Sequence, residues 1–270
     1  MEINRFNVNE IVEKSGLKPD KDYGQNYLIE PTICQKIVDL LELKHDDHVL
    51  EIGPGIGSLT HFINQYECEK FALVDIDQRM IDFLKVLYQK KNNEIMLSDI
   101  RKHDVSNYNK IIGNLPYNIT TETITYLLKN AINTEKMVLM CQTETLAHFI
   151  DIEGKEYGPT SILVHLLGKI ERKFAVKPGS FYPVPKCSST VFTITFNKDA
   201  NFSYSYDVYK FAKQLFINRR KTIYNNLSNY LGNKDLTLDV LNKAGISINK
   251  RPEELSPSDF VALFEETKTI

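Results

Sequence analysis

Residues 48–57 read H-V-L-E-I-G-P-G-I-G, an apolar run that leads into three closely spaced glycines. The run predicts a β-strand, and the glycines at 53, 55 and 57 let the backbone turn tightly and come close to a ligand. Their spacing is G-x-G-x-G rather than G-x-G-x-x-G, and a glycine loop by itself fits a nicotinamide dinucleotide equally well. The stretch therefore predicts a ligand site at the carboxyl end of a strand, without identifying the ligand.

The segments after this loop alternate between strand-like and helix-like patterns. Further strands are predicted within F-A-L-V-D-I-D (71–77), E-I-M-L-S-D (94–99), I-I-G-N (111–114) and M-V-L-M-C (137–141). Segments with the apolar spacing of amphipathic helices separate them. This alternation predicts an α/β fold with a parallel, doubly wound sheet.

The pattern changes in the last third of the chain. A loop follows Pro178, and S-T-V-F-T-I-T-F (189–196) alternates strongly, as a half-buried strand does. Beyond residue 200 the segments have helical apolar spacing. We therefore predict an α/β domain over residues 1–200 and a small all-helical domain over residues 201–270.

The bulk composition is that of a soluble protein, with 270 residues, 42% hydrophobic and 25% charged. No apolar run approaches the ~20 residues that cross a bilayer, and the acidic N-terminus lacks the apolar core of a signal peptide. The cysteines are far apart without a C-x-x-C motif, and His45 and His48 have no further ligands nearby. We therefore expect a cytoplasmic protein with reduced thiols, no membrane association and no metal site.

Charge is distributed unevenly along the chain. The net charge is −2, yet residues 209–251 contain nine Lys or Arg and two Asp, a local charge of +7 that leaves −9 for the remainder. A basic patch on an otherwise acidic protein predicts contact with a polyanion at one end of the molecule. The alternative is a solvated helix face.

Acidic residues follow the next two predicted strands. Asp75 lies roughly 20 residues after the glycine loop, where a carboxylate can accept hydrogen bonds from both ribose hydroxyls. Asp99 follows the third strand, where a carboxylate can accept from an exocyclic adenine amine. Each acid alone is more often a helix N-cap. Together with the glycine loop they predict an adenosine-bearing ligand across the sheet edge.

The stretch G-N-L-P-Y-N-I (113–119) places an amide, a proline and a phenol directly after the fourth strand. A tight loop with an asparagine cap is the simplest interpretation. Hydride transfer does not need these groups, whereas methyl transfer to an amine does. The Asn114 side-chain carbonyl and the Leu115 backbone carbonyl, in a turn fixed by Pro116, can each accept one N–H of an exocyclic amine and aim its lone pair at a methyl group. Tyr117 can stack on the target base, worth about 1–3 kcal/mol.

With these motifs the chain resembles the KsgA/RsmA family of small-subunit rRNA adenine dimethyltransferases, with the Erm large-subunit enzymes as close relatives. The resemblance covers nearly the whole chain. Its motifs are Y-G-Q-N-Y-L (23–28), E-I-G-P-G-I-G (51–57), D-I-D (75–77), S-D-I (98–100), N-L-P-Y-N-I (114–119), E-Y-G-P-T-S-I (156–162), V-K-P-G-S-F-Y-P-V-P-K (176–186), F-I-N-R-R-K-T-I-Y-N-N-L (216–227) and K-R-P-E-E-L-S (250–256). The last two lie outside the methyltransferase core and favour the KsgA/RsmA branch.

The resemblance implies a Rossmann-like S-adenosylmethionine-dependent methyltransferase sheet followed by a helical rRNA-binding domain. It implies a cofactor site formed by Asn26, Leu28, Gly53, Gly55, Asp75, Ile76, Asp99, Ile100 and Asn114. Asn114, Leu115, Pro116 and Tyr117 hold the target adenine in this family, and the residue at Phe181 packs on its other face.

The family resemblance also implies the substrate. Methyl groups go from S-adenosylmethionine to two adjacent adenines near the 3′ end of small-subunit (16S) rRNA, and the 30S ribosomal subunit is the expected partner of a monomeric enzyme. Arg219, Arg220 and Lys221 are the phosphate-binding candidates; alternatively, they open a solvent-facing helix.

The chain departs from the family pattern at Asp22, at Asp75 in place of the usual glutamate, at His148 and at Cys187. Two other functions stay open: an Erm-type enzyme that acts on 23S rRNA, and a non-catalytic ribosome-assembly factor on the same fold. Such a factor is expected to lose Asn114, Tyr117 or a cofactor acid, and this chain keeps them.

Overall fold

The computed structural model describes residues 8–20, 23–88 and 93–269, so Asp22 lies outside the described residues. The strands are β1 Tyr27–Leu28, β2 His48–Ile52, β3 Lys70–Asp75, β4 Asn93–Leu97, β5 Lys110–Asn114, β6 Lys136–Gln142, β7 Gly168–Val176, β8 Phe181–Tyr182 and β9 Ser189–Phe196. The α-helices are α1 Val8–Ser15, α2 Pro31–Asp39, α3 Ser58–Ile63, α4 Gln78–Leu87, α5 Thr120–Asn130, α6 Thr143–Ile150, α7 Pro159–Leu167, α8 Phe202–Leu215, α9 Ile223–Leu231, α10 Lys234–Lys243 and α11 Pro257–Lys268.

Seven strands form the main sheet, in the order β4-β3-β2-β5-β6-β9-β7. β2 pairs in parallel with both β3 and β5, and the pairs β3–β4 and β5–β6 are also parallel, whereas β9 runs antiparallel to β6. The strand order reverses between β2 and β5, which is where open α/β sheets bind ligands at the carboxyl ends of their strands. The predicted α/β fold is confirmed.

The central strands are buried on both faces, so their sequences are continuously apolar rather than alternating. Val49, Ile112 and Val138, one from each of three neighbouring strands, are fully buried in one hydrophobic cluster. Gly113 allows β5 to lie close to β2, because a Cβ at this position would be 2.9 Å from the Ile52 carbonyl oxygen. Close packing at the switch point therefore depends on a glycine one residue before Asn114.

Two features of the sheet were not predicted. β7 carries four charged residues among nine and lies at the edge of the sheet, where one side faces solvent and apolar periodicity is weak. β1 and β8 form a separate two-stranded antiparallel sheet, with Leu28 opposite Phe181. Two residues are too few to show a periodicity, so this pairing could not be predicted from the sequence.

A second compact unit consists of Leu146–Ile170 together with Asp199–Ile270. The sequence predicted a single boundary near residue 200, but the contacts also gather residues 146–170 into the helical unit. The reason is packing: Ile162 of α7 belongs to the same buried cluster as Val208 and Phe211 of α8. The helical C-terminal part is confirmed, and it recruits a helical segment that precedes β7.

Within the described ranges, no helix is long and apolar enough to cross a membrane. The same ranges contain no group of three or more His, Cys, Asp or Glu that could hold a metal ion. All four cysteines are free thiols, and burial raises the pKa of Cys34 and Cys141 to about 12.

Candidate active site

A cavity opens at the carboxyl ends of β2, β3 and β5, beside a segment that we call the N-terminal strap (residues 23–28). The cavity brings together ten of the residues predicted from the sequence: Asn26, Leu28, Gly53, Gly55, Asp75, Ile76, Asn114, Leu115, Pro116 and Tyr117. Asp99, Ile100 and Phe181 are not among its lining residues.

The glycine loop has the backbone that its sequence predicts. Gly53, Gly55 and Gly57 all have positive φ values, of 60°, 53° and 84°. A Cβ at Gly55 would be 3.1 Å from the ring of Tyr27, whereas a Cβ at Gly53 would meet nothing closer than a carbonyl oxygen at 4.0 Å. Gly55 therefore makes room for the strap, and Gly53 leaves its backbone open to a ligand.

Asp75 ends β3 at the cavity wall. Its Oδ1 accepts from the backbone N–H of Asp77 (2.9 Å) and its Oδ2 from that of Gly55 (3.3 Å). Burial raises the pKa of Asp75 above its ordinary value, although these two N–H groups act in the opposite direction. The N-cap of α4 is Asp77 rather than Asp75. Asp75 thus connects the glycine loop to the start of α4 and keeps further lone pairs for a ligand.

Asp99 makes a bidentate ion pair in this structure. Its carboxylate accepts from Arg101 Nε (3.0 Å) and Nη2 (2.8 Å) and also caps a short 3-10 helix, and this hydrogen bonding lowers the pKa of Asp99. In this structure Asp99 therefore acts as the N-cap of that 3-10 helix.

The two isoleucines predicted to contact the cofactor differ in exposure. Ile100 is buried, whereas Ile76 is 49% exposed and forms an apolar wall of the cavity.

Asn114 is held in one orientation. Its Nδ2 donates to the backbone carbonyl of Asn26 (3.0 Å), which assigns the amide nitrogen to the strap and leaves Oδ1 as a free acceptor. The backbone N–H of Leu115 donates to the Met140 carbonyl (3.0 Å), and the Leu115 side chain is buried. Both residues line the cavity, and no described residue donates a hydrogen bond to Asn114 Oδ1 or to the Leu115 carbonyl oxygen.

The two predicted aromatic residues behave differently. Tyr117 is half-buried, and its hydroxyl lies 2.9 Å from Ser189 Oγ, so the phenol is anchored while the ring lines the cavity; burial raises its pKa. Phe181 is 1% exposed and packs in the core cluster with Leu28. β8 alternates and turns Phe181 inward and Tyr182 outward, and the implied packing of Phe181 on a base stays a prediction.

Comparison with known proteins identifies the family. A family model described as "Ribosomal RNA adenine dimethylase" matches residues 3–269. The chain belongs to the ribosomal RNA adenine dimethylase family. It is 37% identical over 250 residues, 90% of either chain, to "Ribosomal RNA small subunit methyltransferase A" of Malacoplasma penetrans. It is 34% identical to the protein of the same name from Mycoplasma capricolum, covering 92% of this chain and 97% of that one.

Solved structures agree with this assignment. A dimethyladenosine transferase from Plasmodium falciparum has a TM-score of 0.77 at 27% identity, covering 89% of this chain and 96% of that chain. The 23S rRNA methyltransferase ErmE has a TM-score of 0.69 at 21% identity and covers 90% of this chain, which shows a shared fold. The adenine dimethylase fold thus extends over both compact units.

A strap residue missed by the sequence reasoning organises this side of the adenine dimethylase cavity. Gln25 Nε2 donates to Asp77 Oδ2 (2.9 Å), and its Oε1 accepts from the Tyr27 hydroxyl and the Asp20 backbone N–H, both at 2.9 Å. Since the backbone N–H of Asp77 also donates to Asp75, Gln25 links the strap to the two aspartates that follow β3. Its place in Y-G-Q-N-Y-L was the available signal, but the sequence alone does not reveal its partners.

Glu51 was also missed as a cavity residue. It is 1% exposed, its Oε2 accepts from Thr60 Oγ1 (2.6 Å), and it lines the cavity from the end of β2. Burial raises the pKa of Glu51 to about 8. The position of a carboxyl group two residues before the first loop glycine was the signal that could have found it.

The three basic candidates of the family motif lie in the turn between α8 and α9, not on a helix face. Arg219 is engaged: it donates to Glu253 Oε2 (3.2 Å) and to the Gly154 carbonyl (3.2 Å). Arg220 and Lys221 are exposed, and the described residues provide no ion-pair partner for either side chain. The geometry therefore separates one structural arginine from two cations that remain available to an anion.

Proposed function

We propose that this adenine dimethylase transfers methyl groups from S-adenosylmethionine to the N6 amines of two adjacent adenines near the 3′ end of small-subunit (16S) rRNA. The observation that supports it best is the orientation of Asn114. With Nδ2 committed to the Asn26 carbonyl, Asn114 Oδ1 and Leu115 O form a pair of acceptors that matches the two hydrogens of an exocyclic amine.

The residues present fit the cofactor. Gly53 leaves open backbone, Asp75 keeps lone pairs for ribose hydroxyls, and Ile76 offers an exposed apolar surface for an adenine ring. Asn26 and Leu28 are proposed to complete this part of the site from the strap. S-adenosylmethionine, when bound, supplies an electrophilic methyl group.

The chain's own groups act by orientation. An adenine N6 amine is a weak nucleophile because its lone pair is delocalised into the ring. Hydrogen bonds from its two N–H groups to Asn114 Oδ1 and Leu115 O localise that lone pair and stabilise the positive charge that develops on nitrogen. Tyr117, anchored by Ser189, is placed to stack on the base and offset part of the cost of unstacking it. No strong base is required, because the proton leaves after transfer.

The substrate assignment rests on the relatives and on the C-terminal motifs. The relatives named above are small-subunit methyltransferases, and the motifs R-R-K-T and R-P-E-E-L-S of this chain favour that branch over the Erm type. We propose the 30S subunit as partner, a cytoplasmic location, a monomeric state and a contribution to small-subunit biogenesis. Asp99 and Ile100 are proposed to border the adenine of the cofactor once Asp99 exchanges part of its pairing with Arg101.

The test is methyl incorporation from labelled S-adenosylmethionine into unmethylated 30S subunits and, separately, into large-subunit rRNA, with products mapped by primer-extension stops. We expect stops at two adjacent adenines of the small-subunit rRNA, and a rate about 10²-fold lower for Asn114→Ala. Asn133→Ala is the matched control, because Asn133 Nδ2 also donates to a backbone carbonyl, that of Ser106 (2.8 Å), on a surface away from the cavity.

Each other outcome has a definite meaning. Modification of the large-subunit rRNA assigns the chain to the Erm type. No incorporation despite cofactor binding assigns it to non-catalytic assembly factors. A normal rate for Asn114→Ala contradicts the amine-orienting mechanism.

A further inference from the structure

A second cavity lies in the helical unit, between the last turn of α8, the α8–α9 turn and one face of α9. It is lined by Gln214, Ile217, Asn218, Asn226, Asn229 and Tyr230. None of these side chains carries a negative charge. The cavity is thus a polar, acid-free surface feature within the most basic part of the chain.

The turn that forms one wall is held by a buried amide. Asn226 is 2% exposed, and its Nδ2 donates to three backbone carbonyl oxygens: those of Asn218 (3.1 Å), Lys221 (3.3 Å) and Thr222 (3.2 Å). The turn carrying the exposed cations Arg220 and Lys221 is therefore fixed in shape. A turn with a fixed backbone presents its charges without a backbone ordering cost when a ligand binds.

Two apolar side chains stand open beside this turn. Tyr230 is 49% exposed, and the T-shaped contact of its ring with Phe211 (centroids 5.3 Å apart, planes at 77°) fixes its orientation. Ile217 is 68% exposed and also lines the cavity. An oriented, half-exposed tyrosine in a cavity is the kind of platform on which unpaired nucleobases stack.

The polar groups suit a base as well. The side-chain amides of Gln214, Asn218 and Asn229 make no hydrogen bond with any described residue, and each offers both donors and acceptors to a base edge. Arg220 and Lys221 are exposed on the same turn that supplies Asn218 to the cavity, and cations on this turn can pair with the phosphates on either side of a bound base. Amide, aromatic and cationic groups are thus combined without a carboxylate to repel a polyanion.

We propose that this cavity binds one unpaired nucleobase of the RNA that carries the target adenines, with Tyr230 as its stacking platform. The site is separate from the methyl-transfer cavity, and the inference rests on the proposed function only in taking RNA as the substrate. A protein segment is disfavoured as occupant, because the lining amides and the two unpaired cations match a polyanion with exposed hydrogen-bonding edges better than an apolar peptide face.

The test compares the binding of full-length variants to unmethylated 30S subunits at one fixed salt concentration. Tyr230→Ala should bind about tenfold more weakly, whereas Tyr230→Phe, which keeps the ring, should bind like the wild type. Leu238→Ala is the control, since Leu238 is a comparably exposed apolar residue of α10 that does not line the cavity. Thermal unfolding of each variant checks that the fold is retained.

A second probe separates stacking from charge. Binding to a fully paired RNA duplex should be the same for Tyr230→Ala and wild type, while Arg220→Ala weakens binding to both RNAs. The proposal is overturned if Tyr230→Ala weakens binding to both RNAs equally, or if it leaves binding to 30S subunits unchanged. Loss of self-association in Tyr230→Ala with RNA binding unchanged also overturns it, because the cavity would then be an interface between copies.

The two proposals can fail separately. If the wild type transfers no methyl group but its 30S binding still depends on Tyr230, the proposed function fails and the base site stands.

Discussion

Gln25 links the N-terminal strap to Asp77 and, through it, to Asp75 at the cavity. Its replacement should weaken cofactor binding without unfolding the protein. Gln25→Ala removes the hydrogen bond to the Asp77 carboxylate as well as the two bonds accepted by Oε1. A hydrogen bond to a charged group contributes about 1.5–3 kcal/mol. Without these bonds the strap must be ordered when the cofactor binds, so their free energy is lost from binding. About 1.4 kcal/mol of binding free energy is a factor of ten in affinity, and we therefore expect S-adenosylmethionine to bind about 10- to 100-fold more weakly.

The assay is calorimetric titration of S-adenosylmethionine, with methyl transfer measured in parallel. Turnover should fall together with affinity, because the adjacent Asn26 carbonyl orients Asn114. Gln35→Ala is the matched control: Gln35 Nε2 also donates to an aspartate, Asp39 Oδ1 (2.6 Å), but on an exposed helix face.

A double variant that exchanges the donor and the acceptor at positions 25 and 77 distinguishes a positioning role of Gln25 from a general structural effect. Gln25→Glu places two carboxylates together and should bind the cofactor worse than Gln25→Ala. Adding Asp77→Asn restores a donor–acceptor pair with the polarity exchanged, and asparagine still serves as the N-cap of α4. Affinity of Gln25→Ala within twofold of wild type, or a double variant no better than Gln25→Glu alone, would refute the reasoning.

Three further predictions concern the turn, the glycine loop and the buried acid. Alanine at Arg220 or Lys221 should each lower the salt-dependence slope of RNA binding by about 0.7–0.9, whereas Arg219→Ala should leave the slope and lower the unfolding free energy by up to about 1 kcal/mol. Gly55→Ala should cost about 1–3 kcal/mol in urea unfolding and weaken cofactor binding, since its φ of 53° and the tyrosine ring 3.1 Å away both oppose a Cβ. Burial raises the pKa of Glu51 from 4.5 to about 8, so the folded protein binds a proton that the unfolded chain releases. Stability should therefore fall as pH rises from 4.5 through 8, and Glu51→Gln should remove that slope in unfolding curves.

The central strands of the sheet were predictable because each is a largely apolar run. Gly53 directly follows one such run, and Asp75 and Asn114 end two others; the structure brings all three to one cavity. The edge strand β7 and the two-residue strands β1 and β8 gave no such signal, since they are exposed or too short.

The partners of the site residues could not be read from the sequence. Asn114 and Asn26 are 88 positions apart, and only the folded chain reveals that one fixes the amide of the other. Arg219 and Arg220 are indistinguishable as neighbours in R-R-K, yet one is bound to Glu253 and the other is exposed. Phe181 carries a family motif, but strand alternation turns it into the core.

The two acceptors Asn114 Oδ1 and Leu115 O match a different number of N–H groups on the target amine in each round of the proposed reaction. An unmodified adenine offers two N–H groups and satisfies both oxygens, whereas a monomethylated adenine offers one and leaves an oxygen without a partner. The second transfer at each base therefore begins from a less tightly held amine. Inosine and uracil, whose corresponding position is a carbonyl, present an acceptor to two acceptors and are excluded, so a single deaminated adenine in the target sequence escapes methylation.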